Sequence, residues 1–243
     1  MTMPTSYQVE INEFCKKIYS GDYNIRQATA GALSQAKAKL NPQAFVELNE
    51  LCVDTFYKGA KYLKWNGFRL LAVDESVLNL PNSPNIINKF GSEDYVKQSN
   101  GVKCMPRCSL LYDVLNLIPV DAQVSGYRIS EKALFLKQLD KLQKGDLFLA
   151  YRGYCYSSIL YTLDQRGIVF CIRLHHSTLN LVKEFTKSDE SDLEIEYKFP
   201  NRALKLMGLP KNTPAIKIRL VKVMLENGEI EEIAQVLKGE SLQ

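Results

Sequence analysis

The chain has 243 residues, of which 46% are hydrophobic and 24% are charged, and it carries a formal net charge of +4 with a pI near 8.6. This composition is typical of a globular protein with a sizeable core and excludes a disordered or low-complexity chain. The mild positive charge permits contact with nucleic acid without requiring it.

No apolar run approaches the roughly 20 residues that are needed to span a bilayer, and the N-terminal residues contain no apolar signal core. The six cysteines form no C-x-x-C pair, and the pair Cys104 and Cys108 has no further Cys or His partners at zinc spacing. Unpaired thiols in apolar segments are typical of a reducing compartment. The sequence therefore predicts a cytoplasmic protein without structural zinc.

The first 64 residues predict a helical region. Apolar residues recur at helical spacing from Val9 to Ile18, and Gly21 would end that helix. Two further helices are predicted over residues 25–39 and 42–63. We interpret the aromatic residues among them as core, and no helix-turn-helix signal identifies a helix that reads DNA.

A dense apolar run, LLAV at residues 70–73, ends abruptly on Asp74. Both faces are apolar up to Val73, which is typical of a strand that is covered on both sides. A carboxylate that loses its hydration there needs a cation or a hydrogen-bond donor as partner. Asp74 is therefore either a cation ligand or an acid that caps a turn.

The segment after this strand, up to residue 103, is rich in Asn, Ser, Pro and Gly and predicts a long loop. An antiparallel hairpin is predicted next, and a helix follows that is capped by Ser130. A second apolar run at 147–150, a helix to Arg166 and a strand at 169–174 complete this part. Strands that alternate with helices indicate a sheet with parallel members and helices on both faces.

Beyond His176 the pattern changes to antiparallel strands. They are predicted over residues 193–199, 215–225 and 229–237, and Asn227 and Gly228 form a strong hairpin-turn signal between the last two.

Two motifs together resemble the DDE transposases of bacterial insertion sequences, of the IS-four type. In that family the first strand ends on a catalytic Asp in a VDG-S/T context, and the VDES of this chain places Asp74 at that acid. A later strand of the family ends in Asp-Arg-Gly-Tyr, and this chain has YRGY there. Arg152, Gly153 and Tyr154 match, whereas Tyr151 stands at the position of the second catalytic Asp.

The resemblance implies an α/β fold, with a ribonuclease-H-like mixed sheet, flanking helices and a β-rich C-terminal insertion. The domains expected on this basis are a helical N-terminal region at 1–64, an incomplete catalytic core at 65–176, and the insertion at 177–243. The family function is DNA transposition, through strand cleavage and transfer that depend on a divalent metal. DNA, as the ends of the element, is the expected partner, and a homodimer is possible for such a protein.

The resemblance also implies magnesium or manganese, held by two Asp and one Glu. Asp74 would be a metal ligand, but Tyr151 is neutral near pH 7 and a poor magnesium ligand. The third acid of the family lies in a Tyr-x-x-Arg-x-x-x-Glu pattern, which these 243 residues do not contain. We therefore expect a truncated chain that binds the metal weakly, if at all, and is catalytically inactive.

Three other acids are candidates to replace the missing ones. Glu75 follows Asp74 directly and would point to the opposite face of the strand, and the family usually has Gly there. Asp146 lies at the start of its strand, at the wrong end of the sheet, and Asp121 is interpreted as a strand-edge acid. An active nuclease that uses other acids stays the weakest hypothesis.

A non-catalytic protein that binds DNA or a partner is the alternative to the transposase hypothesis. Phosphate contacts need only cations in the right places, and these could remain in a chain without catalytic activity. The predicted DNA-binding residues are Arg152, Lys97, Lys103, Arg107 and Arg128. His175 and His176, at a strand end, are interpreted as surface residues.

Overall fold

The computed structural model describes residues 6–19, 28–94, 102–174, 180–226 and 230–236. The chain divides into two compact units, Met1–Leu51 and Cys52–Gln243. All six cysteines are free. In the part of the chain that is described, no helix combines the length and the apolar character that crossing a membrane requires.

The first unit is helical, as predicted. Helix α1 spans Tyr7–Tyr19 and α2 spans Ala30–Ala38, and α3, Gln43–Gly59, begins here and continues into the second unit. The Thr29 hydroxyl caps α2 by accepting a hydrogen bond from the Ala32 N–H at 3.0 Å. Gln8 of α1 binds the backbone on both sides of this cap, at the Ala28 carbonyl and the Ala30 N–H. These bonds join α1 to the start of α2.

The second unit contains ten strands and five further helices within the described ranges. The strands are β1 Arg69–Val77, β2 Glu93–Asp94, β3 Val102–Lys103, β4 Arg107–Asp113, β5 Ile118–Ser125, β6 Asp146–Ala150, β7 Val169–Arg173, β8 Asp192–Tyr197, β9 Ile216–Met224 and β10 Ile230–Val236. The helices are α4 Pro84–Phe90, α5 Glu131–Gln138, α6 Ser157–Gln165, α7 Asn180–Lys187 and α8 Asn201–Met207. Short 3₁₀ turns at Leu139–Lys141 and Arg152–Tyr154 follow α5 and β6.

Eight of these strands form one mixed sheet, in the order β5-β4-β1-β6-β7-β10-β9-β8. Strands β5, β4 and β1 are antiparallel neighbours, whereas β1, β6 and β7 run parallel. Three antiparallel strands followed by two parallel ones, with crossover helices α5 and α6, make a ribonuclease-H-like core. The predicted fold class is confirmed.

The predicted C-terminal strands are also confirmed, as β8, β9 and β10. They extend the same sheet, because β10 pairs antiparallel with β7 and with β9, and β9 pairs with β8. The predicted Asn227-Gly228 turn lies outside the described residues. Helices α7 and α8 were not predicted.

The predicted long loop before residue 103 is wrong in part, because it contains helix α4 and the small β2–β3 ladder. The Ser83 hydroxyl accepts a hydrogen bond from the Ile86 N–H, and Pro84 occupies the first turn. Both residues are strong helix-start signals. The Asn, Ser and Pro content suggested a loop, but two of these residues form the start of a helix.

The hydrophobic core packs against the central parallel strands β1, β6 and β7. Leu71, Phe148 and Phe170 are neighbours on β1, β6 and β7, and each is fully buried. Phe135 of α5 stacks on Phe148, with ring centroids 4.7 Å apart. This packing holds β6 between its two neighbours and thereby sets the relative positions of the three strand ends.

Candidate functional site

Asp74 lies within β1, which continues past the predicted strand end at Asp74 to Val77, just beyond the residues that pair with β6. Tyr151 directly follows β6, the parallel neighbour of β1. The register pairs Ala72 of β1 with Leu149 of β6, so that two residues further on Asp74 stands opposite Tyr151. Side chains alternate along a strand, and these two therefore share one face of the sheet. Both residues are exposed. The fold thus brings together the two positions that the motifs identified.

Arg173 joins them from the third parallel strand. The register pairs Ala150 of β6 with Ile172 of β7, which places Arg173 beside Tyr151 on the same face. Sequence reasoning missed this residue, although its position at the end of a predicted strand was a usable signal. Carboxyl ends of parallel strands meet at one edge of a sheet, where ligands commonly bind.

The Tyr151 ring is contacted by two guanidinium groups. Arg152 lies 4.7 Å and Arg173 4.9 Å from the ring centroid, within the range of cation–π attraction. Arg152 Nη2 also donates a hydrogen bond to the Tyr151 hydroxyl. An aromatic ring in contact with two positive charges therefore follows β6, at the position where the sequence motif predicts the second acid of the family.

A separate ionic cluster forms around Glu75, the neighbour of Asp74. Arg107 Nη1 lies 2.6 and 2.7 Å from the two Glu75 carboxylate oxygens, and Arg107 Nε donates to the Tyr127 carbonyl at 2.7 Å. The Arg107 guanidinium also lies over the Tyr127 ring. Charge-assisted bonds of this kind hold a side chain firmly. Arg107 thus binds a carboxylate of its own chain.

Glu131, at the start of α5, brings another carboxylate that sequence reasoning did not identify. Its Oε1 lies 3.8 Å from Arg107 Nη1, and its Oε2 lies 2.5 Å from where a Cβ on Gly153 would be. A side chain at Gly153 would therefore displace Glu131. Burial raises the pKa of the Glu131 carboxyl, the charges of Glu75 and Asp74 raise it further, and Arg107 opposes them.

We expect Glu131→Gln to increase the free energy of unfolding at pH 7. An acid whose pKa is raised on folding weakens the fold at pH values above its unfolded pKa, because the folded protein holds the proton more tightly. The gain should disappear as the pH falls below about 4.3, the ordinary glutamate value. Urea unfolding at both pH values tests this. Glu196→Gln, on an exposed site of β8, is the control, and a less stable Glu131→Gln variant at pH 7 would contradict the prediction.

The donor groups at the strand ends do not fit a two-metal site. Magnesium takes carboxylate and other oxygen ligands. Across the sheet from Asp74, the next positions on the same face are Tyr151 and then Arg173. A second dication at these positions would be repelled by the positive charge of Arg173. Over the described ranges, no group of three or more His, Cys, Asp or Glu residues could hold a metal ion.

The other two candidate acids have structural partners. Asp146 forms a buried ion pair with Arg69 at 2.8 Å, at the opposite end of β6 from Tyr151. Asp121 lies on β5, the edge strand two positions from β1, and accepts a hydrogen bond from Gln123. Neither lies at the end of β1.

The remaining predicted DNA-binding residues are scattered. Lys103 is exposed on β3, opposite Glu93, and Arg128 is exposed in the turn before α5. Lys97, His175 and His176 lie outside the described residues. Arg152 is thus the predicted cation that the fold brings next to Tyr151, and its role in DNA binding stays a prediction.

Residues 65–216 match the model of a known protein family, the transposase DDE domain. This match covers more than half of the chain and includes Asp74, Tyr151 and Arg173. No curated protein sequence matches the chain.

Several solved structures resemble the chain at low identity. The piggyBac transposase synaptic complex with hairpin DNA is 8% identical over 72% of this chain, with a TM-score of 0.45. A pre-cleavage Mos1 transpososome is 11% identical over 54%, with a TM-score of 0.30, and the Mos1 mariner paired-end complex with Mn is 11% identical over 69%, with a TM-score of 0.28. The chain spans 34%, 41% and 60% of the lengths of these three proteins.

Proposed function

Since the chain belongs to the transposase DDE domain family, we propose that it acts on DNA, and that these 243 residues bind DNA without cleaving it. The family's activity is DNA transposition. The observation that carries the proposal is the position of Tyr151, directly after β6 and beside Asp74, where the resemblance to the family implies a metal-binding acid.

Loss of cleavage follows from the chemistry of the donor groups. Tyr151 offers a phenol where a magnesium site needs a carboxylate, and two guanidinium groups beside it repel a dication. Metal-assisted phosphodiester cleavage needs the ions to neutralise the attacking and leaving oxygens. Asp74 alone is a weak site for such ions.

DNA binding depends on fewer features of the chain than DNA cleavage does. Phosphate contacts depend on exposed cations and on a fold that places them, and neither requires the metal ligands. One solved structure that resembles this chain is the piggyBac transposase synaptic complex with hairpin DNA. A bacterial insertion-sequence origin, magnesium or manganese as the family cofactor and a homodimer belong to the same proposal as expectations from the family.

We expect Tyr151→Asp to leave the chain inactive in DNA cleavage. The change would restore the second carboxylate of the motif, but the third acid of the family pattern is not present in these residues. Nicking of supercoiled plasmid with Mg²⁺ or Mn²⁺ measures this. The wild-type chain and Asp74→Asn/Tyr151→Asp serve as controls for contaminating nuclease.

Manganese-dependent nicking by the single variant, absent from the double variant, would show that another residue supplies the third acid. Nicking by the wild-type chain that disappears in Asp74→Asn would overturn the proposal of a non-cleaving protein.

A further inference from the structure

Positive charge stands at the strand ends where the family resemblance implies a metal ion. Arg152 follows β6 at the start of a 3₁₀ turn, and Arg173 is the last residue of β7. Both guanidinium groups lie within 5 Å of the Tyr151 ring centroid. Since guanidinium stays protonated at any physiological pH, this charge is permanent.

We propose that Arg152 and Arg173 bind a backbone phosphate of DNA at the ends of β6 and β7, so that guanidinium groups neutralise the phosphate in place of a divalent cation. This inference rests on the proposed function of DNA binding, and it adds which residues bind and that no metal is required.

The shared aromatic ring supports this assignment. Stacking on Tyr151 restricts the rotamers of both arginine side chains, so that less conformational entropy is lost when they bind an anion. A guanidinium has five N–H donors and binds phosphate oxygens in pairs. The bond that Arg152 donates to the Tyr151 hydroxyl occupies one N–H group of the five, so it does not prevent the others from binding an anion.

Most of the side chains in this assignment are accessible to a ligand. Tyr151 is 41% exposed, Arg152 and Asp74 are exposed, and Arg173 is half-buried. Phosphate contacts require cations that the DNA backbone can reach, and an exposed cation at a strand end satisfies this condition.

Asp74 opposes the arginines, because its carboxylate lies on the same face and repels phosphate. On the other face, Arg107 offsets the charge of Glu75 in a direct ion pair. The direction in which loss of the Asp74 carboxylate changes the DNA affinity therefore distinguishes two mechanisms. Removing this carboxylate strengthens binding through arginine, whereas it weakens binding through a metal ion.

The test uses the whole chain and a fluorescein-labelled DNA duplex of mixed sequence, with affinity measured by fluorescence anisotropy across a KCl series. We expect the affinity in EDTA to be at least as high as in Mg²⁺, because Mg²⁺ is not needed as a ligand and competes with the arginines for phosphate. The Arg152→Ala/Arg173→Ala variant should bind about tenfold more weakly, because it cannot form the charge-assisted bonds to phosphate. For this variant, the slope of log affinity against log salt concentration should be smaller in magnitude by about 0.9 for each phosphate that it no longer neutralises.

Lys144→Ala is the matched control, because this exposed lysine precedes β6 at the opposite end of the strand. Its affinity should change less than about twofold, since it removes only distant positive charge. Asp74→Asn should bind more tightly than wild type in EDTA. Tyr151→Phe should keep the affinity, whereas Tyr151→Asp should weaken it in EDTA and not regain it with Mg²⁺.

Three results would overturn the inference. The first is a double-arginine variant that is folded by circular dichroism and binds like wild type. The second is wild-type binding that needs Mg²⁺ and is weakened by Asp74→Asn. In both cases the proposed DNA binding stands. The third, no wild-type binding at low salt, would remove the proposed function as well.

Discussion

Replacement of Asp146 by alanine is expected to lower the free energy of unfolding by about 3–5 kcal/mol, because it leaves a buried guanidinium without its partner. Arg69 is 5% exposed and binds Asp146 through two hydrogen bonds of 2.8 Å. The Asp146 carboxylate also accepts the Gln143 N–H at 2.8 Å. Chemical denaturation of wild type and variant measures the loss.

Asp54→Ala is the control for this prediction. Asp54 forms an exposed ion pair with Lys58 within α3, so its removal should cost at most about 0.5 kcal/mol. The double change Arg69→Met/Asp146→Leu should recover most of the stability, since apolar residues can replace a buried ion pair at little cost. Equal effects of Asp146→Ala and Asp54→Ala would show that the buried pair is not closed in solution.

Phe148→Ala is expected to cost about 3–5 kcal/mol, because it removes a fully buried aromatic ring and leaves a cavity in the centre of the sheet. Phe148 stacks on Phe135 and lies between Leu71 and Phe170 on the flanking strands. Natural domains are stable by only about 5–15 kcal/mol, so this single change removes a large part of the total. Thermal and urea unfolding both measure it.

Leu206→Ala is the matched control, because Leu206 is 80% exposed on α8 and its truncation should change stability by no more than about 0.5 kcal/mol. A cost below about 1 kcal/mol for Phe148→Ala would mean that the site collapses around the smaller side chain. DNA binding of this variant, measured below its unfolding temperature, should stay near wild type, since the ring lies on the buried side of the sheet.

Local sequence signals predicted most of the elements in the second unit. Short continuous apolar runs predicted β1, β6 and β7, and Ser130 marked the start of α5, where its hydroxyl accepts a hydrogen bond from the Ala133 N–H. Each of these signals depends on a few neighbouring residues, so it can be identified from the sequence without knowledge of the fold. Helix α4 was missed, because its Ser83-Pro84 start lies within residues that are equally typical of loops.

The residues of the candidate site also fall into two groups, those that the sequence identified and those that only the fold revealed. The motifs identified Asp74 and Tyr151, which directly follow apolar runs, and Arg152, which matches the family motif at its position. Arg173 and Glu131 became visible only when β7 and α5 were packed beside these residues. No local pattern relates a guanidinium at the end of one strand to an aromatic ring at the end of another.

The sequence by itself indicated an α/β core and showed an aromatic residue, Tyr151, after the second apolar run, where the family resemblance implies an acid. Tertiary structure decided what surrounds that aromatic residue. Strand order and register place Arg173 against Tyr151 and leave Asp146 at the far end of β6, bound to Arg69. The physical reason is that electrostatic interactions depend on distance in space, which the pairing of strands sets and separation along the chain does not.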